Sequence, residues 1–528
     1  MKNEPVEIFH NFNYNHFMKT KRIEIGALLT AMFLLIVTFL SGTIPDPETP
    51  ELSPQKENFQ LDEWNRENGF PYFQIRAITQ TIDGFLWIAT NSQLIRFDGN
   101  SFVNIGAEAG LDILNGKMSD LLVDKKGNLW IGCTWGLITY PLKIERFIEL
   151  SLSGGDDQNT PVPISRIIEG RNGSLWFGTH YNHLCHLENH KPVWYKAVKG
   201  LTSNTISALC ERKDGSIWAG TPEGLFTLNT REEDFFHQIP LDTSGGEVPV
   251  TVVTSLHEDR NGLLWIGTNR GLMRIKDTND VPVLYTTQNG LSHNIITKIL
   301  GDSSGRLWIG TVGGLLRTTV DEDGNPGFDR HLGNIHILSL FEDKEQSLWI
   351  GSLNAGLKRM RHITPPAVSE NMPGPLHFAP VIEKVTILQA DGISITHHVG
   401  NCPGPAPTFK DEDDLTVFFT VPVFTKPKNI RFNYRLEGYD DQNRELGPGK
   451  ERQVYYPYLP SGEYTFKITA VSTDGKENGK ETAFSFYIEQ SFNRSTAFKV
   501  IILTIFMMGC TAGLFLLKER FLKQGEKK

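Results

Sequence analysis

The sequence predicts an all-β protein, made of a seven-bladed β-propeller and an Ig-like β-sandwich and followed by a C-terminal transmembrane helix. Three observations lead to this prediction. A tryptophan-containing motif recurs seven times, a second region of short apolar strands follows it, and an uncharged run lies near the C-terminus. The expected boundaries are 60–362 for the propeller, 379–490 for the sandwich and 498–517 for the helix.

The propeller prediction rests on a motif with the consensus Asp-x-x-Gly-x-Leu-Trp-Ile-Gly-Thr. Its tryptophans are spaced 43, 46, 42, 47, 43 and 41 residues apart, and Gln346 replaces the turn glycine in the last copy. The Asp-x-x-Gly element favours a hairpin turn, and a unit of ~40–45 residues with four short strands is typical of one blade. The motif tryptophans are therefore predicted to be core residues: Trp87, Trp130, Trp176, Trp218, Trp265, Trp308 and Trp349.

The sandwich prediction rests on the region after a proline-rich linker at 365–375. Short apolar strands are expected at 415–419 and 432–439, and residues 459–468 are expected to form a turn that runs into a third strand. About 110 residues of this pattern fit a β-sandwich, because each sheet of such a domain is built from several short antiparallel strands.

The N-terminal residues 1–43 are predicted to be a leader. The uncharged run 26–40 follows Lys19, Lys21 and Arg22 and precedes small residues. This order is that of a signal peptide, and an uncleaved signal anchor would show the same order. Both alternatives stay open, as does the choice between Met1 and Met18 as the first residue.

The C-terminal run is the stronger membrane signal. Residues 500–517 contain no charge over 18 positions, and the basic tail 518–528 follows directly. A run of this length can span a bilayer, and basic flanks lie on the cytoplasmic side. The tail is therefore expected in the cytoplasm, and the bulk of the chain outside the cytoplasmic membrane.

Composition narrows the classes of function. The net charge is −9, so the chain lacks the basic surface typical of a nucleic-acid binder. Five cysteines are too few for a disulfide framework; a Cys185–Cys210 disulfide is conceivable, and buried free thiols are the default expectation. The sequence contains no P-loop, no HExxH motif and no kinase motif, and no cofactor is expected.

The motif resembles the two-component regulator propeller repeat. The segments Tyr-Arg-Leu-Glu-Gly at 434–438 and Leu-Pro-Ser-Gly-Glu-Tyr at 459–464 resemble the Y_Y_Y domain. These resemblances imply an extracytoplasmic sensor of the kind found in bacterial hybrid histidine kinases, many of which respond to oligosaccharides. Together with the charge pattern they imply the cytoplasmic (inner) membrane of a bacterium, with the bulk of the chain in the periplasm. Relatives usually carry two rings and a cytoplasmic output domain, whereas this sequence has repeats for one ring and only about eleven residues after the apolar run. A separate partner kinase and a truncated gene product are the two explanations.

A ligand is expected on the rim formed by two sets of loops. One set joins each tryptophan strand to the next strand, and the other leads into the first strand of each blade. Rim loops vary on a rigid scaffold, and sugars favour aromatic, amide, carboxylate and guanidinium groups. The candidate ligand-binding residues are Trp135, His180, Tyr181, Asn204, Glu223, Arg270, His293 and Asn294.

Three other motifs resemble catalytic or metal-binding sites but are predicted to have no such role. Residues 301–305 read Gly-x-Ser-x-Gly like a nucleophile elbow but fall at the hairpin-turn position of the repeat. The cluster of His180, His183, Cys185 and His186 lacks a zinc spacing, although it replaces the usual loop of its blade. Residues 321–325 begin like a calcium loop, but Pro326 stands where glycine is needed, so an acidic loop is expected. No metal site is predicted.

The favoured function is a membrane-anchored sensor-type protein of two-component signalling that binds an oligosaccharide and lacks its own kinase output. A homodimer and a separate histidine kinase are the expected protein partners, and no enzymatic activity is expected. Two alternatives remain open at this stage. One is a propeller enzyme, a lyase or hydrolase, acting outside the cytoplasm, and the other is a truncated remnant or scaffold without signalling output.

Overall fold

The computed structural model describes most of the chain from residue 59 onward. The predicted leader at 1–43, the proline-rich linker, the acidic loop 321–325 and Cys402 lie outside the described residues. The described ranges are 59–67, 69–70, 74–108, 117–141, 146–150, 152, 161–181, 183–188, 191–196, 199–228, 235–241, 251–320, 326–362, 379–388, 394–399, 406–410, 414–424, 427–472, 480–489 and 496–525.

The strands from Phe59 to His362 form seven four-stranded antiparallel sheets among the described residues. These strands are β1 (Phe59–Trp64), β2 (Ala77–Gln80), β3 (Leu86–Ala89), β4 (Leu94–Phe97), β5 (Phe102–Asn104), β6 (Met118–Val123), β7 (Leu129–Cys133), β8 (Gly136–Tyr140), β9 (Ile148–Leu150), β10 (Ile164–Glu169), β11 (Leu175–Thr179), β12 (Leu184–Glu188), β13 (Lys191–Tyr195), β14 (Ala208–Glu211), β15 (Ile217–Thr221), β16 (Gly224–Leu228), β17 (His237–Ile239), β18 (Val253–Glu258), β19 (Leu264–Thr268), β20 (Leu272–Ile275), β21 (Val283–Tyr285), β22 (Ile296–Gly301), β23 (Leu307–Thr311), β24 (Gly314–Val320), β25 (Pro326–Gly333), β26 (Ile337–Glu342), β27 (Leu348–Ser352) and β28 (Leu357–His362).

Each sheet is one blade, with four consecutive strands running from the inner to the outer edge. The first blade is β2–β5 and the sixth is β22–β25, counted along the chain. The seventh blade differs, because β1 from the start of the described chain pairs antiparallel with β28 and supplies its fourth strand. This pairing joins the two ends of the propeller, and the Arg359–Asp62 ion pair at 2.7 Å reinforces it.

The blades pack because the motif glycine leaves room for a neighbour. A Cβ on Gly178 would lie 2.8 Å from Ile206, two residues before the inner strand of the next blade, and a Cβ on Gly351 would lie 2.5 Å from Ile75. The Ser339 hydroxyl also donates to the Ile75 carbonyl at 3.0 Å. Since Ser339 and Gly351 are in the seventh blade and Ile75 lies two residues before β2, the last blade packs on the first and the ring is closed.

The motif aspartate fixes the buried tryptophan as well as the turn. In the sixth blade, Asp302 Oδ1 accepts the backbone N–H of Ser304 and Arg306, and Asp302 Oδ2 accepts the Trp308 indole N–H at 2.9 Å. The same side-chain bond recurs in three other blades, from Trp130 to Asp124, from Trp265 to Asp259 and from Trp349 to Asp343. The Asp-x-x-Gly element therefore satisfies the indole that the core encloses. The predicted core position of the motif tryptophans agrees with their exposed fraction, which is at most 8%.

Gln346 adopts the backbone conformation of the glycine that it replaces. Its φ is +60°, and the equivalent Gly262 has a φ of +78°. We expect Gln346→Gly to stabilise the protein by about 1 kcal/mol, because a left-handed L-residue costs ~1–2 kcal/mol and the added freedom of glycine in the unfolded chain offsets part of the gain. Denaturant unfolding of the full chain measures the change. The matched reverse substitution Gly262→Gln, where a Cβ meets no atom within 4 Å, should destabilise; a lower midpoint for Gln346→Gly would contradict the strain argument.

The strands after the propeller form two further sheets that enclose one core. Their order is β30-β29-β32-β35 in one sheet and β31-β37-β36-β33-β34 in the other. Phe419, Phe466 and Tyr456 are among the buried side chains between them. The strands are β29 (Val381–Leu388), β30 (Ser394–His398), β31 (Thr408–Lys410), β32 (Asp414–Thr420), β33 (Ile430–Glu437), β34 (Arg444–Leu446), β35 (Gln453–Tyr456), β36 (Gly462–Ser472) and β37 (Thr482–Glu489).

Helices are few among the described residues. A short α1 (Ile105–Glu108) follows the first blade, and single 3₁₀ turns occur at Thr287–Asn289 and Pro427–Asn429. The long helix α2 (Thr496–Gly525) contains an apolar stretch, Phe498–Lys518, of 21 residues with no burial against the protein. By length and composition this one helix of the described chain could cross a membrane, and the all-β fold with a single C-terminal apolar helix is confirmed.

A buried polar network joins the first blade to the sandwich. Asp98 Oδ2 accepts the Arg452 guanidinium at 2.9 Å and also accepts the Thr420 hydroxyl, while the Val423 amide donates to the Asp98 carbonyl at 3.0 Å. Phe424 packs in the propeller core beside Phe97. The two domains therefore contact each other through both hydrogen bonds and apolar side chains, and we call this contact the joint. A cavity of about 320 Å³ lies beside it.

Candidate functional site: the rim and the central channel

One rim of the ring is built from the two loop sets that the repeat pattern indicates. The turn between the second and third strand of a blade donates a backbone N–H to the residue that precedes the inner strand of the same blade. The bond recurs in five blades of the described chain, from Thr134 to Lys117, His180 to Pro163, Asn269 to Val252, Val312 to Ile295 and Leu353 to His336. These bonds place Trp135, His180, Tyr181, Arg270, His293 and Asn294 on this rim. The strand order places Asn204 and Glu223 of the fourth blade there as well.

Four of the candidates lie near one another on the third and fourth blades. The carbonyl of His180 accepts the Thr205 hydroxyl at 2.5 Å, and the carbonyl of Asn204 accepts the His183 amide at 3.0 Å. Glu223 accepts the Thr202 hydroxyl at 3.2 Å, which ties its turn to the same segment. Tyr181 is 55% exposed and its ring lies 6.2 Å from that of His180.

The other four candidates are spread around the ring. Trp135 on the second blade is 55% exposed, and Arg270 lies on the fifth. His293 and Asn294 precede the sixth blade, where Asn294 Oδ1 accepts the Thr287 amide at 2.8 Å and His293 Nδ1 accepts the Ile295 amide at 2.9 Å. Both side chains therefore hold the loop in shape. Burial lowers the pKa of His293, and burial followed by the charge of His293 lowers that of His336.

The repeat pattern did not lead us to the charged side chains of the inner strands. The residue paired with the motif glycine, or with Ala89 in the first blade, is equivalent in all blades. In three blades this residue is charged: Asp120, Arg166 and Lys298. In the other four it is small: Ala77, Ala208, Ser255 and Ser339. Extending the repeat alignment four residues upstream of the motif aspartate would have revealed these charges, because their position relative to the tryptophan is constant.

These charges influence one another across the channel. Burial lowers the pKa of Lys298, Asp120 opposes that shift and Arg166 adds to it. Since Lys298 belongs to the sixth blade and the other two to the second and third, the three charges act on one another through the space that the inner strands enclose. Arg76, beside β2, also belongs to this set, because burial and then Arg166 lower its pKa.

His180 connects the rim to the channel. Its pKa falls to about 4, first through burial and then through the positive charges of Arg166 and Arg76. The imidazole is therefore neutral near pH 7, and it can exchange hydrogen bonds with a ligand without carrying charge.

The remaining cluster around His180 has structural roles. His183 Nδ1 lies 3.0 Å from the Ser203 carbonyl, and the His186 ring stacks on Trp176 at 4.1 Å. Cys185 is buried in the core, where burial raises its pKa to about 12. Cys185 and Cys210 are free thiols, as the default expectation had them. Within the described ranges, no group of three histidine, cysteine, aspartate or glutamate side chains is placed to hold a metal ion.

The Gly-x-Ser-x-Gly stretch is a turn. It joins β22 to β23, two antiparallel strands, and the Gly305 amide donates to the Asp302 carbonyl at 2.9 Å. The Ser303 hydroxyl donates to Glu342 at 2.7 Å. A nucleophile elbow needs a strand followed by a helix, so the catalytic interpretation of this motif does not apply.

Family models match both folded regions. The two component regulator propeller model matches residues 200–223, 247–270 and 290–313, and the Y_Y_Y domain model matches 423–489. The resemblances drawn from the sequence are confirmed. Five of the rim candidates lie inside the matched propeller segments: Asn204, Glu223, Arg270, His293 and Asn294. No curated protein matches the sequence.

Solved structures with similar folds include sensor and enzyme propellers. The extracellular domain ascribed to a hybrid two-component system of B. thetaiotaomicron is 19% identical with a TM-score of 0.46, and covers 79% of this chain. This chain spans only 57% of that domain. A second such domain from the same organism is 15% identical, with a TM-score of 0.42 and coverage of 82% and 100% of the two chains. Virginiamycin B lyase of Staphylococcus aureus is 14% identical, with a TM-score of 0.46 and coverage of 58% and 100%. Likenesses at these scores indicate neither ligand nor reaction.

Proposed function

We propose, from the two-component regulator propeller repeats and the Y_Y_Y domain that this chain carries, that it is a membrane-anchored extracytoplasmic sensor of two-component signalling. The order of the parts is the observation that carries the proposal. The matched repeats at 200–313 are followed by the Y_Y_Y domain at 423–489 and then by the apolar stretch Phe498–Lys518. A ligand-binding ring, a connecting domain and a spanning helix are the parts that a transmembrane receptor needs.

The proposed orientation follows from charge. Lys518, Arg520 and Lys523 come at the end of the apolar stretch, and basic residues flanking a span lie on the cytoplasmic side. The propeller and the sandwich would then lie in the periplasm, outside the inner membrane. Occupancy would reach the cytoplasm as a change in the geometry of a homodimer, read by a histidine kinase.

The rim favours an oligosaccharide as the ligand. Trp135 and Tyr181 are both 55% exposed, and exposed aromatic faces suit the C–H surfaces of sugars. Asn204 and Glu223 offer polar groups on the rim of the third and fourth blades, which suit sugar hydroxyls. The neutral His180 argues against acid–base catalysis at this place, because a pKa near 4 is far from the value that makes an efficient base at neutral pH.

Calorimetry with the full chain in lipid nanodiscs tests the proposal. A panel of neutral and acidic oligosaccharides is titrated, and the sugar recovered after each titration is analysed by mass spectrometry. Saturable binding of at least one unchanged sugar is expected, and Tyr181→Ala should weaken it about tenfold if it removes a stacking contact of ~1–2 kcal/mol. Tyr455→Ala, at a 54% exposed tyrosine of the sandwich, is the matched control and should change nothing. Product formation would favour the propeller enzyme, and no binding across the panel would contradict the carbohydrate proposal.

A further inference from the structure

The central channel concentrates positive charge on one level of the ring. Seven inner-strand positions are equivalent by register, and only Asp120, Arg166 and Lys298 among them carry charge. Arg76 adds a further cation from the segment that enters the first blade. These four side chains therefore comprise three cations and one carboxylate.

The carboxylate forms no ion pair with the cations. Asp120 Oδ2 accepts the Ile167 amide at 2.9 Å and Oδ1 accepts the Leu121 amide at 3.1 Å, so each oxygen holds a backbone hydrogen bond. Within the described part of the chain, no ion pair reaches Arg76, Arg166 or Lys298.

Hydrogen bonding leaves most of the donors available as well. Arg166 donates only to the Ser165 carbonyl at 2.7 Å, and no hydrogen bond of the described residues involves the Arg76 guanidinium or the Lys298 ammonium. Cations that face one channel repel one another, and an anion between them lowers that repulsion. A bound anion would relieve this repulsion and take up the unused donors.

We propose that the central channel binds an acidic ligand, whose carboxylate or sulfate group lies between Arg76, Arg166 and Lys298. A planar guanidinium can hold an oxyanion through two parallel hydrogen bonds, and the lysine ammonium adds a point charge from the opposite side of the channel. His180 at the rim would contact the part of the ligand that leaves the channel. The inference rests on the proposed function, since it names the chemical class of ligand that the sensor takes.

The experiment compares ligands that differ in charge and variants that differ in one charge. The full chain in nanodiscs is titrated by calorimetry with trigalacturonate, with the neutral trisaccharide maltotriose and with inorganic sulfate. The channel variants are Arg166→Gln, Lys298→Met and Asp120→Asn. Lys126→Met removes the same charge from an exposed turn outside the channel and is the matched control. Melting curves of each variant check that the ring is folded.

Trigalacturonate is expected to bind, and both Arg166→Gln and Lys298→Met should weaken binding about tenfold or more, because a charge-assisted hydrogen bond contributes that much. Asp120→Asn should tighten binding, since it removes the carboxylate and leaves an oxygen for the Ile167 amide. Lys126→Met should have no effect. Sulfate binding as tight as that of trigalacturonate, with the same response to the variants, would support the site and identify a free oxyanion as its ligand.

Two results would overturn the inference. One is that trigalacturonate and sulfate both fail to bind, and the other is that they bind with affinities that the three channel variants leave unchanged. If maltotriose binds in either case, the sensor proposal stands and only the acidic ligand is wrong. Conversely, trigalacturonate could bind in a way that depends on the channel residues and yet leave the distance between the spanning helices of a dimer unchanged. That result would support the site and contradict the sensor proposal.

Discussion

Trp308→Ala is expected to lower the free energy of unfolding by about 3–5 kcal/mol, because it opens a cavity that the closed ring cannot fill. The indole is 1% exposed and packs with Leu315 and with Ile337 of the following blade. Its removal also leaves Asp302 Oδ2 without the indole N–H in a buried place. Denaturant or thermal unfolding of the full chain measures the loss.

Trp135→Ala is the matched control for this prediction. Trp135 is also a tryptophan of the propeller, yet it is 55% exposed on the rim, so the same substitution should change the stability by about 0.5 kcal/mol or less. Equal losses for the two variants would show that the motif tryptophans do not form the core of the blades.

Asp98→Ala is expected to destabilise the protein by about 3–5 kcal/mol, because it leaves a charged guanidinium in the joint without its carboxylate. The side chains of Arg452 and Asp98 are only 11% and 8% exposed. Burial lowers the pKa of Arg452, while Asp98 and then Glu383 oppose that shift. Calorimetric unfolding of the full chain should show the loss, and limited proteolysis should cut between the propeller and the sandwich more rapidly.

Two further variants distinguish the loss of the buried ion pair in the joint from a general effect of removing a charge. Glu445→Ala breaks the exposed ion pair with Arg431 in the sandwich and should cost about 1 kcal/mol or less. Adding Arg452→Met to Asp98→Ala should recover part of the stability, because no unpaired charge is then buried. A double variant as unstable as Asp98→Ala alone would indicate that packing, and not the ion pair, holds the joint.

The sequence predicted those features that repeat along the chain. The tryptophan spacing identified the strands and turns of each blade, since a blade is built from consecutive residues. It could not show that Phe59–Trp64 completes the seventh blade, because this pairing joins residues about 300 positions apart. It also could not show that Asp98 binds Arg452, which lies in another domain and outside any repeat.

The candidate site divides in the same way. The rim position of the candidate residues could be predicted because loop positions follow from strand order within one blade. The channel charges were missed because Asp120, Arg166 and Lys298 come from three different repeats, and only the closed ring brings them to one space. Alignment of the repeats shows that Gln346 replaces the turn glycine of the last repeat. Its left-handed backbone conformation could be seen only in the structure.

The most direct test of the account is a distance measurement in the spanning helix with and without ligand. Cys510 is exposed on α2, whereas Cys133 and Cys185 are buried and burial raises the pKa of Cys210 to about 11. With Cys402 replaced by serine, a spin label attached to Cys510 reports the separation of two helices in a nanodisc. If the protein is a sensor, the distance distribution changes when a binding oligosaccharide saturates the protein. Asp98→Ala should abolish this change while the oligosaccharide still binds. An unchanged distance distribution at saturation, in the protein with an intact joint, would contradict the proposal that ligand binding is relayed to the spanning helix.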